Sequence, residues 1–274
     1  MQLSSRFASR SPALRSSAPL TDDQIARVAP SVFASEAHDS RSARYTYIPT
    51  IEVLCGLRKE GFQPFMVCQT RVRNDNKREH TKHMIRLRHA DQILGAEANE
   101  IILLNSHDGT SSYQMLAGMF RFVCQNGLVC GDTFADFRVP HKGDVVGQVI
   151  EGAYTVLDGF GEAIDQRDAM QALTLRSGED TAFARAALAL RYDDEHPAPI
   201  EPEQLLTPRR SEDHGSDLWS AFNRVQENMT KGRVPGRNRN GRATTTRAIT
   251  GIDQSIKINR ALWVLAQEMR KLRG

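Results

Sequence analysis

Residues 65–89 read FMVCQTRVRNDNKREHTKHMIRLRH. Two strand-like runs flank an Asn/Asp/Lys-rich turn. Met66, Cys68 and Val72 on one side and Met84, Ile85 and Leu87 on the other are the candidate core contacts, which is the pattern of a β-hairpin. Side chains along a strand alternate between its faces with a period of two. Arg71 and Arg73 repeat at that interval, as do Arg86 and Arg88, so the outward face is expected to carry four guanidinium groups as a basic patch.

Working outward, YTYIPTIEVLCGLRKEGF at 45–62 predicts a short extended piece and then a helix entered at Pro49–Thr50 and ended by Gly61. Ile51, Leu54 and Leu57 give it one apolar side. Downstream, residues 100–131 form the densest apolar region. Ile101 to Leu104 reads as a buried strand, His107–Gly109 as a turn and Ser111 to Met115 as a returning strand. Met119 to Val129 then reads as a short helix stopped at Asn126–Gly127. The fold class is therefore α+β: an antiparallel hairpin or sheet core packed by helices, followed by a C-terminal helical region and a basic flexible arm. The organisation expected is a flexible leader at 1–44, a core domain at 45–192, an acidic Pro-rich linker at 193–216, and a helical segment at 217–274. The core's later helices are read at Val145 to Leu175 and Thr181 to Tyr192. In the last segment Asp217 N-caps a helix whose Leu218, Phe222, Val225 and Met229 recur at helical intervals, and 252–273 is an amphipathic helix.

The chain has 274 residues and 40% hydrophobic content, enough to bury a sizeable core. Its formal net charge of +3 conceals segments of opposite sign. Arg224 to Gly274 holds twelve Lys/Arg against three Asp/Glu, whereas Asp144 to Asp217 holds sixteen acidic against six basic side chains. Arg233, Arg237, Arg239, Arg242 and Arg247 are spaced by Gly, Pro, Asn and Thr, which reads as a mobile arm suited to a phosphate backbone. Composition fits a solubilising loop or a contact to an acidic protein as well. Cys55, Cys68, Cys124 and Cys130 form no CxxC pair, so free thiols and a cytoplasmic location are expected, with no structural zinc. No apolar run reaches membrane-spanning length. The glycine-containing stretch KGRVPGRNRNG lacks the GxxxxGK[ST] arrangement, so neither nucleotide hydrolysis nor a cofactor is implied.

The polar loop NSHDGTSSYQ is the strongest site candidate within the sheet. His107 and Asp108 are metal-ligating residue types, and Ser106, Ser111 or Ser112 is a possible nucleophile beside Asn105. A structural turn satisfied by its own Asp and Ser side chains accounts for the same residues. His80 and His83 have an HxxH spacing, which brings imidazoles together on a helix more readily than on a strand. Arg121 binds either a phosphate or an internal carboxylate, according to its burial. Tyr45, Tyr47, Phe62 and Phe65 would stack on unpaired bases if exposed and belong to the core if not.

The segments Ser106–Gly109 and Arg121–Asn126 together resemble the plasmid- and phage-associated family of unknown function numbered 932, whose members combine an S-H/N-D-G segment with a downstream R-x-V-C-x-N. The resemblance extends from about Tyr45 into the C-terminal helix. It implies DNA processing, recombination or protection, without catalytic residues to carry over. The hairpin-plus-helix order is also similar to that of Rad52-like annealing proteins. The expected function is non-catalytic binding or annealing of single-stranded DNA, with phosphates captured by Arg71, Arg73, Arg86, Arg88, Arg121 and the Arg233–Arg247 arm. A homo-oligomer is compatible with that role. The alternatives are a protein-interaction module acting on host DNA machinery and, third, a metal-dependent nuclease.

Overall fold

The computed structural model describes residues 12–41, 47–72, 75–89, 91, 93–94, 97–122, 126–130, 137–138 and 145–273. In chain order the elements are β1 (Ala13–Arg15), α1 (Asp22–Val28), α2 (Thr50–Lys59), β2 (Phe62–Gln69), β3 (His83–His89), β4 (Ile93–Leu94), β5 (Glu97–Asn105), β6 (Gln114–Arg121), β7 (Asn126–Val129), β8 (Phe137–Arg138) and α3 (Val145–Asp158). There follow α4 (Phe160–Ala172), α5 (Glu179–Ala189), α6 (Pro202–Leu205), α7 (Leu218–Lys231), β9 (Pro235–Arg237), β10 (Ala243–Thr245) and α8 (Ile252–Leu272). The fold is α+β, with an antiparallel sheet, surrounding helices and a C-terminal helical region. The chain divides into two compact units, one made of 1–118, 135–157 and 250–252, the other of 119–134, 158–249 and 253–274.

In the first unit the strands run in the order β1, β2, β3, β5, β6, with β4 on β5 and β8 on β6. The hairpin expected at 65–89 is present: β2 and β3 are antiparallel, with Val67 opposite Ile85 and Cys68 opposite Met84. β3 then pairs with β5, setting Ile85 against Leu103 and Leu87 against Ile101. Helix α2 occupies the position expected for it, and Gly61, at φ 90°, makes the turn into β2. Gly56 lets α2 lie close on α3, since a Cβ there would stand 3.1 Å from Ile150.

The region expected to be a loose leader is partly folded. Thr21 caps α1 through a reciprocal capping box with Gln24, and Leu20, Ile25, Ala29 and Val32 are buried. Arg58 on α2 reaches Asp22 at 2.6 Å. These apolar residues are few and lie among Ser and Pro, so they form no long periodic run.

Arg86 and Arg88 do not lie on the outward basic face expected of the hairpin. Every residue of β5 is buried, and so is β3 from His83 to Arg88, which means these strands are covered on both faces. Arg86 and Arg88 are each 3% exposed and converge on the fully buried Glu100, at 3.1 and 2.8 Å. The register explains this meeting: Arg86 faces Ile102, so Glu100 lies diagonally across on the same face. Arg88 also lies over the Phe65 ring, 4.4 Å from its centroid. Arg71 is exposed beyond the end of β2, and Arg73 lies outside the described residues.

In the second unit the helix expected at Met119 to Val129 is replaced by the end of β6 and by β7, its neighbour in the sheet. Aromatic and β-branched residues there favour the strand. The long helix expected over Val145 to Leu175 is broken at Gly159, between α3 and α4. The linker expected at 193–216 contains α6 and a short 3-10 turn at Ser211–Asp213. Helix α7 is buried almost all round and touches α4, α5 and α6. Asp217 caps it by accepting from the Ser220 N–H at 2.9 Å. Trp219 stacks on Phe222, Trp263 of α8 meets both edge-on, and the Trp263 indole donates to Gln166 at 3.0 Å.

Removing the carboxylate between two buried guanidinium groups leaves them uncompensated. Glu100→Ala is expected to cost about 3–5 kcal/mol of unfolding free energy in a urea titration, and a change below about 1 kcal/mol would show that the pair is not buried as described.

Candidate functional site

The segment read as a mobile arm is a hydrogen-bonded two-stranded β-ribbon. Its ladder begins outside the strands, with the Arg233 N–H donating to the Thr246 carbonyl at 2.7 Å and the Thr246 N–H to that of Val234 at 2.9 Å. It continues through Pro235 opposite Thr245 and Arg237 opposite Ala243. The Asn238 N–H then donates to the Arg242 carbonyl at 2.9 Å. The apex is fixed by the Asn238 side chain, which accepts from the N–H groups of Asn240 and Arg242, each at 3.0 Å. Gly241 sits at φ 73° and closes the turn.

Carbonyl groups at the base of the ribbon are held by inward-turned arginines. Arg191 donates to the carbonyls of Met229 and Arg247 at 2.9 and 2.7 Å, and Arg209 to that of Gly232. One face of the ribbon leans on the preceding segment. The Arg237 N–H donates to the Pro199 carbonyl at 2.8 Å, and a Cβ on Gly236 would collide with that carbonyl oxygen. The remaining face is open, and Arg233, Arg237, Arg239, Arg242 and Arg247 are all exposed. Arg237 donates to the Gly241 carbonyl at 2.8 Å. Among the described residues none of the five has a carboxylate partner within ion-pair distance. Arg121, by contrast, is 12% exposed and pairs with the buried Asp213, an internal carboxylate, at 3.1 Å.

A second polar constellation lies inside the first unit. The Ser31 hydroxyl donates to Gln69 Oε1 at 2.7 Å, which leaves its lone pairs to accept from His83 Nδ1 at 2.9 Å. His83 Nε2 is then an acceptor, facing the Thr50 hydroxyl at 3.0 Å. Thr50 in turn accepts from Asn105 Nδ2 at 2.9 Å and faces His107 Nε2 at 3.4 Å. This order of donors and acceptors requires His83 to be neutral. Burial, aided by the neighbouring His107, lowers the pKa of His83 to about 3. Burial, aided by His80, lowers that of His107 to about 4. His80 lies in the turn before β3 and His83 at the strand's start, so the two part: His83 meets His107, at 5.4 Å between ring centroids, and His80 meets His38 at 5.3 Å.

The loop that begins at Asn105 is satisfied largely by itself. Asp108 accepts from the Thr110 N–H and hydroxyl at 3.0 and 2.6 Å, and Ser106 exchanges hydrogen bonds with the Ser111 backbone at 2.8 and 3.1 Å. Asn105, Ser106, His107 and Asp108 are buried, while Ser112 is exposed and Ser111 half-buried. Among the described residues no three His, Cys, Asp or Glu converge as metal ligands, and no helix is long and apolar enough to cross a membrane. Cys55 and Cys68 are free thiols, and Cys124 lies outside the described residues.

The two histidines predict an acid-labile first unit. An unfolded chain binds protons to both imidazoles as pH falls through about 6.5, whereas the folded chain does so only near 4 and 3. Their contribution to stability is complete above the ordinary imidazole range. It is lost toward acid, at up to about 1.4 kcal/mol per pH unit for each histidine. Urea titrations between neutral pH and about pH 5 read this slope directly, and a flat profile would contradict it.

Comparison with known proteins places the chain. It is 57% identical to the UPF0380 protein YfjQ of Escherichia coli (strain K12) over 268 residues, covering 98% of this chain and 97% of that one. It is 56% identical over the same length and shares to the UPF0380 protein YafZ of the same organism. No solved structure shows a significant match. The domain of unknown function DUF932 matches residues 37–263, a span that contains both Ser106–Gly109 and Arg121–Asn126, and the chain belongs to that family.

Proposed function

We propose that this protein binds nucleic acid through the ribbon from Arg233 to Arg247. The observation that carries this reading is a hydrogen-bonded β-hairpin bearing five exposed arginines with no carboxylate partner among the described residues. Cations left unneutralised on such a surface attract a phosphate backbone, and binding is driven by release of its counterions. No chemistry on the phosphate is required. Arg86, Arg88 and Arg121 are excluded from the contact because each is committed to an internal carboxylate.

The test is binding of the full-length protein to fluorescent oligonucleotides across a salt series. Changing Arg237, Arg239 and Arg242 together to Glu is expected to weaken binding at least about tenfold and to reduce the salt slope by about one for each arginine that meets a phosphate. Unchanged affinity and slope would remove the ribbon from the interface. Rigidity has its own test. Gly236→Ala retains every arginine but places a methyl group against the Pro199 carbonyl oxygen, so it is expected to displace the ribbon and weaken binding severalfold. A freely mobile arm would tolerate that change without loss.

A further inference from the structure

We infer that the nucleic acid taken by the ribbon is a duplex, entered from its major groove, and this inference rests on the nucleic-acid reading above. Three features of the ribbon point to it. First, the segment from Arg233 to Arg247 contains no aromatic residue, and proteins that hold unpaired strands use aromatic rings as platforms for successive bases.

Three of the four aromatic candidates read from the sequence are engaged elsewhere. Phe62 is buried, the Tyr47 ring packs on His107 at 5.0 Å, and Phe65 lies under Arg88. Phe122, exposed in the same unit as the ribbon, packs edge-on with Phe120 at 5.4 Å. Tyr45 lies outside the described residues.

Second, a two-stranded β-ribbon is one of the shapes that the major groove admits. The five residues Asn238 to Arg242 extend beyond the last strand pair, Arg237 with Ala243. Asn238 with Arg242 adds one strand step of about 3.3 Å, and the turn at Arg239–Gly241 projects its side chains past that step, in the direction a groove floor would lie.

Third, the apex presents the residue types that read base edges. Asn238 is spent on fixing the turn, so Arg239 and Asn240 are the exposed side chains at its summit. Arg matches the acceptor pair of guanine and Asn the donor–acceptor pair of adenine. Arg233 and Arg247 lie at the base, the level at which flanking phosphates would stand.

The experiment compares the full-length protein on three probes in one buffer. These are a short mixed-sequence duplex, each of its separated strands, and the same duplex with glucosylated 5-hydroxymethylcytosine, whose sugars fill the major groove. The inference expects the duplex to bind at least tenfold more tightly than either strand, and the glucosylated duplex to lose at least tenfold. Arg239→Ala with Asn240→Ala is expected to reduce the preference among duplex sequences while leaving most of the salt slope. Single strands bound as tightly as the duplex, with strong salt dependence, would overturn the duplex inference and leave the nucleic-acid reading standing. A glucosylated duplex bound as well as the plain one would overturn the major-groove mode. Absence of salt-sensitive binding to every probe would overturn both readings.

Discussion

Burial of β3 and β5 on both faces is the constraint on which the first unit depends. A strand covered on one side has a solvent face for its charges, but this pair has none, so each polar side chain placed there must meet a partner inside the protein. Glu100 answers two guanidinium groups at once because the antiparallel register brings Arg86 and Arg88 to the same carboxylate. Such a group is a poor source of net stability, since desolvation offsets most of the attraction. Its strength is as a constraint: a shift of one residue would turn the carboxylate to the opposite face and leave the arginines buried without it.

The histidine network applies the same constraint to the surrounding elements. Ser31 comes from the turn after α1, Thr50 from the first residue of α2, His83 from β3 and Asn105 from the end of β5. Apolar contacts alone would tolerate small sliding of these helices over the strands. Hydrogen bonds through one neutral imidazole do not, because they weaken steeply when donor and acceptor move out of line. The loop at Asn105–Ser112 thus has a structural task at its buried end, where Asn105 also donates to the Ile48 carbonyl at 3.2 Å. That engagement weakens the case for nucleophilic chemistry by its serines, which bond to one another's backbone.

Legibility in the sequence followed the length and regularity of each pattern. Helices α2, α7 and α8 were readable because apolar residues recur at helical intervals and, for α7, because Asp217 stands at its start. The β2–β3 hairpin was readable from its two apolar runs. Its exposure was not, because alternation reports which residues share a face and not whether a second layer covers the other. Met119 to Val129 misled because Asn126–Gly127 resembles a helix stop, while the aromatic residues before it pair as strand. At the arm, the glycines were read as flexibility. Asn240–Gly241 between Val234 and the Thr244–Thr246 run is a hairpin signal, and Gly236 is small because a backbone passes beside it.

Sequence charge is therefore a poor map of surface charge in this chain. The second unit spends Arg121, Arg191, Arg209 and Arg210 on its own carbonyls, amides and carboxylates. Arg191, Arg209 and Arg210 belong to the acidic stretch 144–217, whereas the ribbon belongs to the basic one. Geometry separates them too: they reach internal carboxylates, an amide and carbonyls, including those of Gly232 and Arg247 at the ribbon's base, while most of the ribbon's own backbone is paired through its ladder. A ribbon with most of its backbone paired asks little of its arginines: Arg237 donates to the Gly241 carbonyl, and all five stand exposed. Because the loop is already ordered, a partner that meets it does not bear the entropy of fixing the backbone. That preorganisation favours recognition of a shape over loose electrostatic capture, which is the physical difference between a hairpin and the mobile arm that composition alone suggests.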